Sequence, residues 1–329
     1  MKHISILVPR GEVALGCIEG PHKLFSLIND FLVRMGRPPA FSLHLVGISI
    51  EPQKYHGVFA AFPDITIKDT KKTDLIIIPA INGDKKEVLE LNQAFIPWMI
   101  SQYKLGAELA SLCVGTFLLA GTGLLHGRTC TTHWQSVNDF RKMFPDVKLI
   151  DNKIITDEHG IYTSGGANLF WNLLLYLVEK YTSREMAILA SKYLIIDIDR
   201  KSQSPFILFS GQKEHEDEEI LHAQEFIESH FEEKLTVDQL CNQLAIGRRS
   251  LERRFKKATS NTVTEYMQRV KIEAAKKSFE TSRKNISEVM QDVGYADTKA
   301  FREVFKKFTG MSPIDYRNRY NKEMSSVMN

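Results

Sequence analysis

Arg248-Arg249-Ser250-Leu251-Glu252-Arg253-Arg254-Phe255-Lys256-Lys257 and Thr298-Lys299-Ala300-Phe301-Arg302-Glu303-Val304-Phe305-Lys306-Lys307 are two versions of one pattern, 50 residues apart. In each, an apolar residue (Leu251, Phe301) is followed one helical turn later by phenylalanine, and the positions around them are mostly charged. Each run is preceded by a short amphipathic stretch. Val237, Leu240, Cys241 and Leu244 fall at i, i+3, i+4 and i+7, and Ile286, Val289, Met290 and Val293 repeat the stripe. Thr236 with Gln239 three residues on predicts a capping box. Ala245-Ile246-Gly247 and Gly294-Tyr295-Ala296-Asp297 read as the turns. A stripe, a turn and a cationic outer helix make a helix-turn-helix, and a duplicated one is far more specific than a single copy. Val263 to Phe279 reads as one helix between them, roughly 25 Å long. A spacer of that order can hold two outer helices in successive major grooves of a duplex.

Charge follows the same division. Residues 234–319 carry 19 Lys/Arg against 10 Asp/Glu, whereas residues 1–233 carry 23 against 29. A basic segment beside an acidic remainder is the electrostatic footprint of nucleic-acid binding by one domain. A chain of 329 residues, 43% hydrophobic and 25% charged, fits two globular domains and excludes collagen-like, disulfide-framework and disordered classes. The four cysteines (Cys17, Cys113, Cys130, Cys241) are scattered without metal-ligand spacing, so no metal or cofactor is expected and a reducing compartment is. No run approaches the ~20 apolar residues of a membrane span, and the start of the chain lacks a signal-peptide core. The expectation is a cytoplasmic protein without membrane contact. Its domains are expected at 1–195 and 220–329, and the polar, acidic stretch Gly211–Glu219 falls in an exposed connector over 196–219.

The first half alternates short apolar runs with helix-period stretches, the pattern of a parallel sheet with crossover helices. Ile4–Val8, Phe41–Ile50 and Asp74–Pro79 read as strands, the last buried on both faces, and Glu87–Tyr103 reads as one helix despite Pro97. Glu108–Ala120 reads as a strand running into a helix with Cys113 at the corner. Such a corner projects its side chain at the carboxyl edge of the sheet, where ligands of open α/β sheets bind, and the helix behind it lowers a thiol pKa. A small buried thiol in a tight turn satisfies the same spacing.

Two resemblances rest on these residues. Cys113–Trp134, with Thr132-His133-Trp134, and later Ile161–Gly166 resemble the elbow region of the class I glutamine amidotransferase-like superfamily, in particular the sensor domains of GlxA-type regulators. The likeness implies a flavodoxin-like α/β domain. The second half resembles the AraC/XylS DNA-binding domain, through Gly294–Phe301, Phe305, Thr309-Gly310-Met311-Ser312-Pro313 and Tyr316-Arg317, and implies an all-α domain with two helix-turn-helix motifs. Asp199–Phe206 resembles the segment joining the two in such regulators.

The resemblance to the superfamily's enzymes suggests Cys113 as nucleophile and His133 as imidazole. Those enzymes place a carboxylate four residues before a proline that opens the first helix. Here that proline corresponds to Pro21 and the acid to Cys17; Glu12 and Glu19 lie at other offsets, Val114 replaces the peptidase histidine, and Asn172 stands where fused regulators often carry Asp. Each departure removes an ionisable group that acid–base catalysis needs. The resulting expectation is a non-catalytic ligand pocket at Cys113, His133, Trp134 and Cys17, holding an unknown small-molecule effector; the alternative is a cysteine-dependent hydrolase or deglycase carrying a DNA-binding domain. A redox pair of Cys17 and Cys113 and a cation cage of Trp98, Trp134 and Trp171 are weaker readings.

For the AraC-like half, double-stranded DNA is the implied partner and a homodimer the implied assembly. Family precedent puts base contacts at Arg249, Arg253 and Lys299. Arg248, Thr298 and Arg302 complete the expected DNA-facing set, with Lys256 and Lys306 on phosphate. Arg254 and Lys307 are expected to touch phosphate or to be solvated. Glu303 stands where the family usually has Arg; it accepts from a cytosine amine, or Arg302 contacts phosphate instead.

Overall fold

The computed structural model describes residues 1–198 and 202–321, so part of the family-like junction (Asp199, Arg200, Lys201) lies outside the described residues. The chain forms two compact units, Met1–Gln203 and Ser204–Asn329.

The first unit contains strands β1 (Lys2–Val8), β2 (Phe41–Gly47), β3 (Gln53–Tyr55), β4 (Phe59–Ala61), β5 (Ile65–Thr66), β6 (Leu75–Ile78), β7 (Glu108–Ser111), β8 (Thr129–Cys130), β9 (Lys148–Leu149), β10 (Ile155–Glu158) and β11 (Ile161–Ser164). Its helices are α1 (Gly16–Arg34), α2 (Lys85–Leu91), α3 (Phe95–Lys104), α4 (Thr116–Ala120), α5 (Val137–Met143), α6 (Phe170–Tyr181) and α7 (Arg184–Leu194). Seven strands form one sheet in the order β10-β11-β7-β6-β1-β2-β5. It is parallel throughout except for the β10–β11 pair at one edge. All four residues of β6 are fully buried, as a central strand covered on both faces requires.

Three local expectations are corrected. The predicted 87–103 helix is two helices, because Asn92 commits its side chain elsewhere: its amide exchanges hydrogen bonds with the Arg10 backbone (2.8 and 2.9 Å) in the loop after β1. Pro97 then falls in the first turn of α3, where its missing N–H costs nothing. The strand from Phe41 ends at Gly47 rather than Ile50. Pro21 does not open α1, which begins at Gly16; Cys17 sits in the first turn and Pro21 inside the helix.

The second unit is helical: α8 (Glu218–Ser229), α9 (Val237–Gln243), α10 (Arg248–Thr259), α11 (Val263–Thr281), α12 (Ile286–Asp292), α13 (Thr298–Thr309) and α14 (Pro313–Tyr320). The Thr236–Gln239 capping box forms, and Asn285 with Glu288 forms its counterpart. Duplication extends to packing. Burial along 251–259 recurs residue for residue along 301–309. Phe255 meets Tyr266 edge-on at 5.2 Å, and Phe305 meets Tyr316 at 5.4 Å. Thr259 and Thr309 each return a 2.8 Å hydrogen bond to the carbonyl four residues back. The two copies build separate apolar clusters that share α11, which gives Val263 and Tyr266 to one and Ile272, Ala275 and Phe279 to the other. With 19 residues, α11 is about 28 Å long.

The stretch Gly211–Glu219 is not a free connector. Gln212 bonds Gln224 and Asn261 (both 3.1 Å), Lys213 pairs with Glu228 at 2.7 Å, and Asp217 caps α8 while holding Arg254. Upstream, the buried Lys276 of α11 donates to the Ile207 carbonyl (2.7 Å) and to Glu273 (2.8 Å), whose carboxylate accepts the Phe209 amide. Within the stretch read as solvated, Asp217 finds its partner on a helix 37 residues away, and Gln212 reaches Asn261 49 residues away. Lys276→Ala should remove this anchor and leave a carbonyl and a carboxylate unpaired, costing ~2–3 kcal/mol in urea unfolding of the full chain; a change below ~0.5 kcal/mol would show that the segment is not held there.

Candidate functional sites: a sheet-edge cavity and two cationic helices

Cys113 has φ +55°, the left-handed region that a strand-to-helix elbow demands. Two residues on, a Cβ at Gly115 would stand 2.6 Å from the carbonyl oxygens of Ile78 and Pro79, so only glycine lets the elbow press onto the end of β6. The elbow opens a cavity of about 260 Å³ at the carboxyl edge of four neighbouring strands. Ala14 and Cys17 follow β1, Ala80, Asn82 and Lys85 follow β6, Cys113 and Val114 follow β7, and Ala167 follows β11. The loop after β8 adds His133, Gln135 and Ser136.

Cys17, Cys113 and His133 thus come together as expected. Trp134 does not line the cavity; its ring lies beside the His133 ring, 5.4 Å between centroids. Trp98 and Trp171 pack against the core, so no tryptophan cage forms. Lys85, Asn82, Gln135 and Ser136 were missed by sequence reasoning. The signal available was positional: each lies in the segment between a strand of an α/β domain and the body of the helix that follows.

The electrostatics of this cavity disfavour a thiolate. Burial pushes the Cys113 thiol up to about 12 and the Cys17 thiol up to about 11, outweighing the amide donors from Val114 and Ala80 respectively. The thiol-activating effect expected of the elbow helix is therefore reversed. Burial also lowers the His133 pKa, favouring neutral imidazole, and its Nδ1 accepts the Gln135 amide at 3.1 Å. No carboxylate lines the cavity among the described residues. Glu12 is engaged with His56 and Glu19 with Lys23. Asn172 spends its amide on the Asp197 carbonyl (2.6 Å).

On the second unit, Arg249, Arg253, Thr298, Lys299, Arg302, Glu303 and Lys306 are exposed on α10 and α13, on faces away from Leu251, Phe255, Phe301 and Phe305. Arg248 is exposed and engaged by Asp238 (3.0 Å) and Glu252 (3.1 Å). Lys256 reaches the Ser260 carbonyl at 2.8 Å, closing the carboxyl end of α10. Arg254 is partly exposed and paired with Asp217 and Glu219 at the start of α8.

Comparison with known proteins agrees with both domain types. Residues 39–180 match the DJ-1/PfpI family and residues 240–319 match a helix-turn-helix domain. The chain is 24% identical over 259 residues to the HTH-type transcriptional regulator GbdR of Pseudomonas aeruginosa, spanning 78% of this chain and 69% of that protein. It is 26% identical to the HTH-type transcriptional regulator ArgR of the same species, over 65% of each chain. The crystal structure of a ThiJ/PfpI family protein from Pseudomonas syringae aligns with a TM-score of 0.51 at 20% identity, covering 64% of this chain and 79% of that one. The chain therefore joins a DJ-1/PfpI-type domain, matched over residues 39–180, to an AraC-type helix-turn-helix domain, matched over residues 240–319.

Proposed function

We propose that this protein is a sequence-specific DNA-binding transcription regulator whose DJ-1/PfpI-type cavity binds a small effector and does not catalyse a reaction. The observation that carries the DNA-binding part is the duplication of α10 as α13, in burial pattern, ring packing and terminal hydrogen bonds, on a common spacer helix. Two cationic helices set on one rigid rod of about 28 Å suit neighbouring turns of a duplex. Arg249, Arg253 and Lys299 are assigned to base edges, and Lys256, Lys306 and Arg302 to phosphates. The regulator acts in the cytoplasm as a homodimer, and effector binding shifts it between two arrangements of differing DNA affinity.

A binding role for the cavity rests on what its walls lack. A nucleophilic thiol needs a thiolate and a proton partner, and here two thiols of raised pKa face a neutral imidazole without a carboxylate. Lys85 supplies the cavity's ammonium group and has no carboxylate within salt-bridge distance among the described residues. Asp139 and Asp84 act on Lys85 without touching it, so an effector with an anionic group would give the ammonium a closer partner.

Arg253→Ala should cost ~1–3 kcal/mol and relax preference at one base pair, whereas Lys306→Ala should weaken all sequences alike and flatten the salt dependence by about one ion. Footprints that lose affinity uniformly with Arg253→Ala would reassign it to phosphate. A thermal-shift screen of small carboxylates should identify an effector, and Lys85→Met should raise its dissociation constant about tenfold or more; an effector bound equally by that variant does not use the ammonium. Both thiols have folded-state pKa values above the ordinary cysteine value, so thiolate is scarce until pH approaches 11. Alkylation of Cys113 by iodoacetamide should keep rising beyond pH 10. A plateau near pH 7, with ester or amide turnover lost in Cys113→Ala, would establish the enzyme instead.

A further inference from the structure

Gln203 is the last residue of the first unit, and its side chain is fully buried directly behind the elbow. Its carboxamide nitrogen faces three carbonyl oxygens, those of Asp151 (2.7 Å), Thr132 (3.1 Å) and Lys153 (3.3 Å). Three acceptors around one nitrogen fix the orientation of the amide. The amide oxygen is buried and has no hydrogen-bond partner among the described residues. A buried acceptor without a donor destabilises the state that contains it. The adjoining chain adds further ties: the Gln203 amide and the Ser202 hydroxyl both donate to the Asn152 carbonyl at 3.0 Å, and Ser202 forms an antiparallel bridge with Lys153.

Two short routes connect this amide with the cavity. Thr132, whose carbonyl holds Gln203, donates its hydroxyl to the Cys113 carbonyl at 3.1 Å and directly precedes His133. On the other side, Ser164 accepts the Cys113 amide at 3.3 Å, and the next residue, Gly165, lies flat against the carboxamide. A Cβ on Gly165 would stand 2.6 Å from the Gln203 nitrogen, so the fit leaves no slack. A displacement of the elbow or of His133 therefore moves the groups that grip Gln203. The chain passes from Gln203 straight into the DNA-binding unit at Ser204.

We infer that Gln203 is a latch: occupancy of the elbow cavity loosens its grip on the Thr132, Asp151 and Lys153 carbonyls, and the released segment changes how the DNA-binding unit is presented. This rests on the reading of the cavity as an effector site. The orphaned oxygen suits such a role, because a fully satisfied amide would hold one state whatever the cavity contained. Release lets that oxygen reach water, so the latched and released states differ less in free energy than the number of ties suggests.

The test uses the full chain and needs no identified effector. Cys113→Met projects a longer side chain into the cavity as a surrogate occupant; Ala167→Leu, at an exposed wall position, fills the same space without touching the elbow. Hydrogen exchange across residues 202–206 and affinity for a duplex selected from a random pool are measured in wild type, each filling variant, Gln203→Ala and the doubles. Either filling variant should speed exchange of the Gln203 amide at least tenfold and change DNA affinity at least fivefold. Gln203→Ala should reproduce both effects, and the doubles should go no further. Unchanged exchange at Gln203 in both filling variants overturns the latch, as do effects on DNA affinity that multiply in full in the doubles. A metabolite screen that stabilises nothing, with the coupling between the cavity variants and Gln203 intact, removes the effector reading and leaves the latch standing.

Discussion

Both halves of the DNA-binding unit depend on burial of opposite ends of one helix. Tyr266, near the amino end of α11, closes the first apolar cluster against Phe255, and Phe279, near the other end, closes the second against Phe305 at 5.6 Å. Each cluster takes part of its core from that rod, so the orientation of α10 relative to α13 is set by a continuous helix about 28 Å long. Lys271 reinforces it, donating from the middle of α11 to carbonyls of Phe231 and Glu233 on one side and Val293 on the other (2.6, 2.9 and 2.9 Å). Reading two grooves at once requires such rigidity, since each degree of freedom between the helices would be lost on binding.

The first unit applies a different constraint to a similar end. Its elbow forces Cys113 into left-handed backbone and seats Gly115 on the carbonyls ending β6. Strain of this kind is kept where it presents a side chain to a ligand. What the side chain can do there is decided by its surroundings. In a cavity without carboxylates, burial dominates the small helix behind the elbow, and both thiols stay protonated at neutral pH. What the cavity presents is shape, one ammonium group and the polar side chains of Asn82, His133, Gln135 and Ser136.

Much of this was legible in the chain. Periodicity located α9 with its capping residue Thr236, and α10, α12 and α13, and the Cys113 corner marked the elbow, because each depends on residues within one or two turns of one another. The misreadings share a cause. Asn92 breaks a helix in favour of a loop 82 residues earlier in the chain, Arg254 pairs with Asp217, and Trp134 points away from the cavity its neighbour lines.

The sequence by itself determined the two fold classes, the duplicated helix-turn-helix and the residue types at the elbow. Only the tertiary structure decided that Lys85 faces the two thiols, that these thiols are weak acids, and that Gln203 sits behind them. Helical stripes and caps are satisfied by near neighbours, so they appear as local patterns. The free energy of a buried charge, thiol or amide sums over groups brought together from distant strands, and no local pattern encodes that sum.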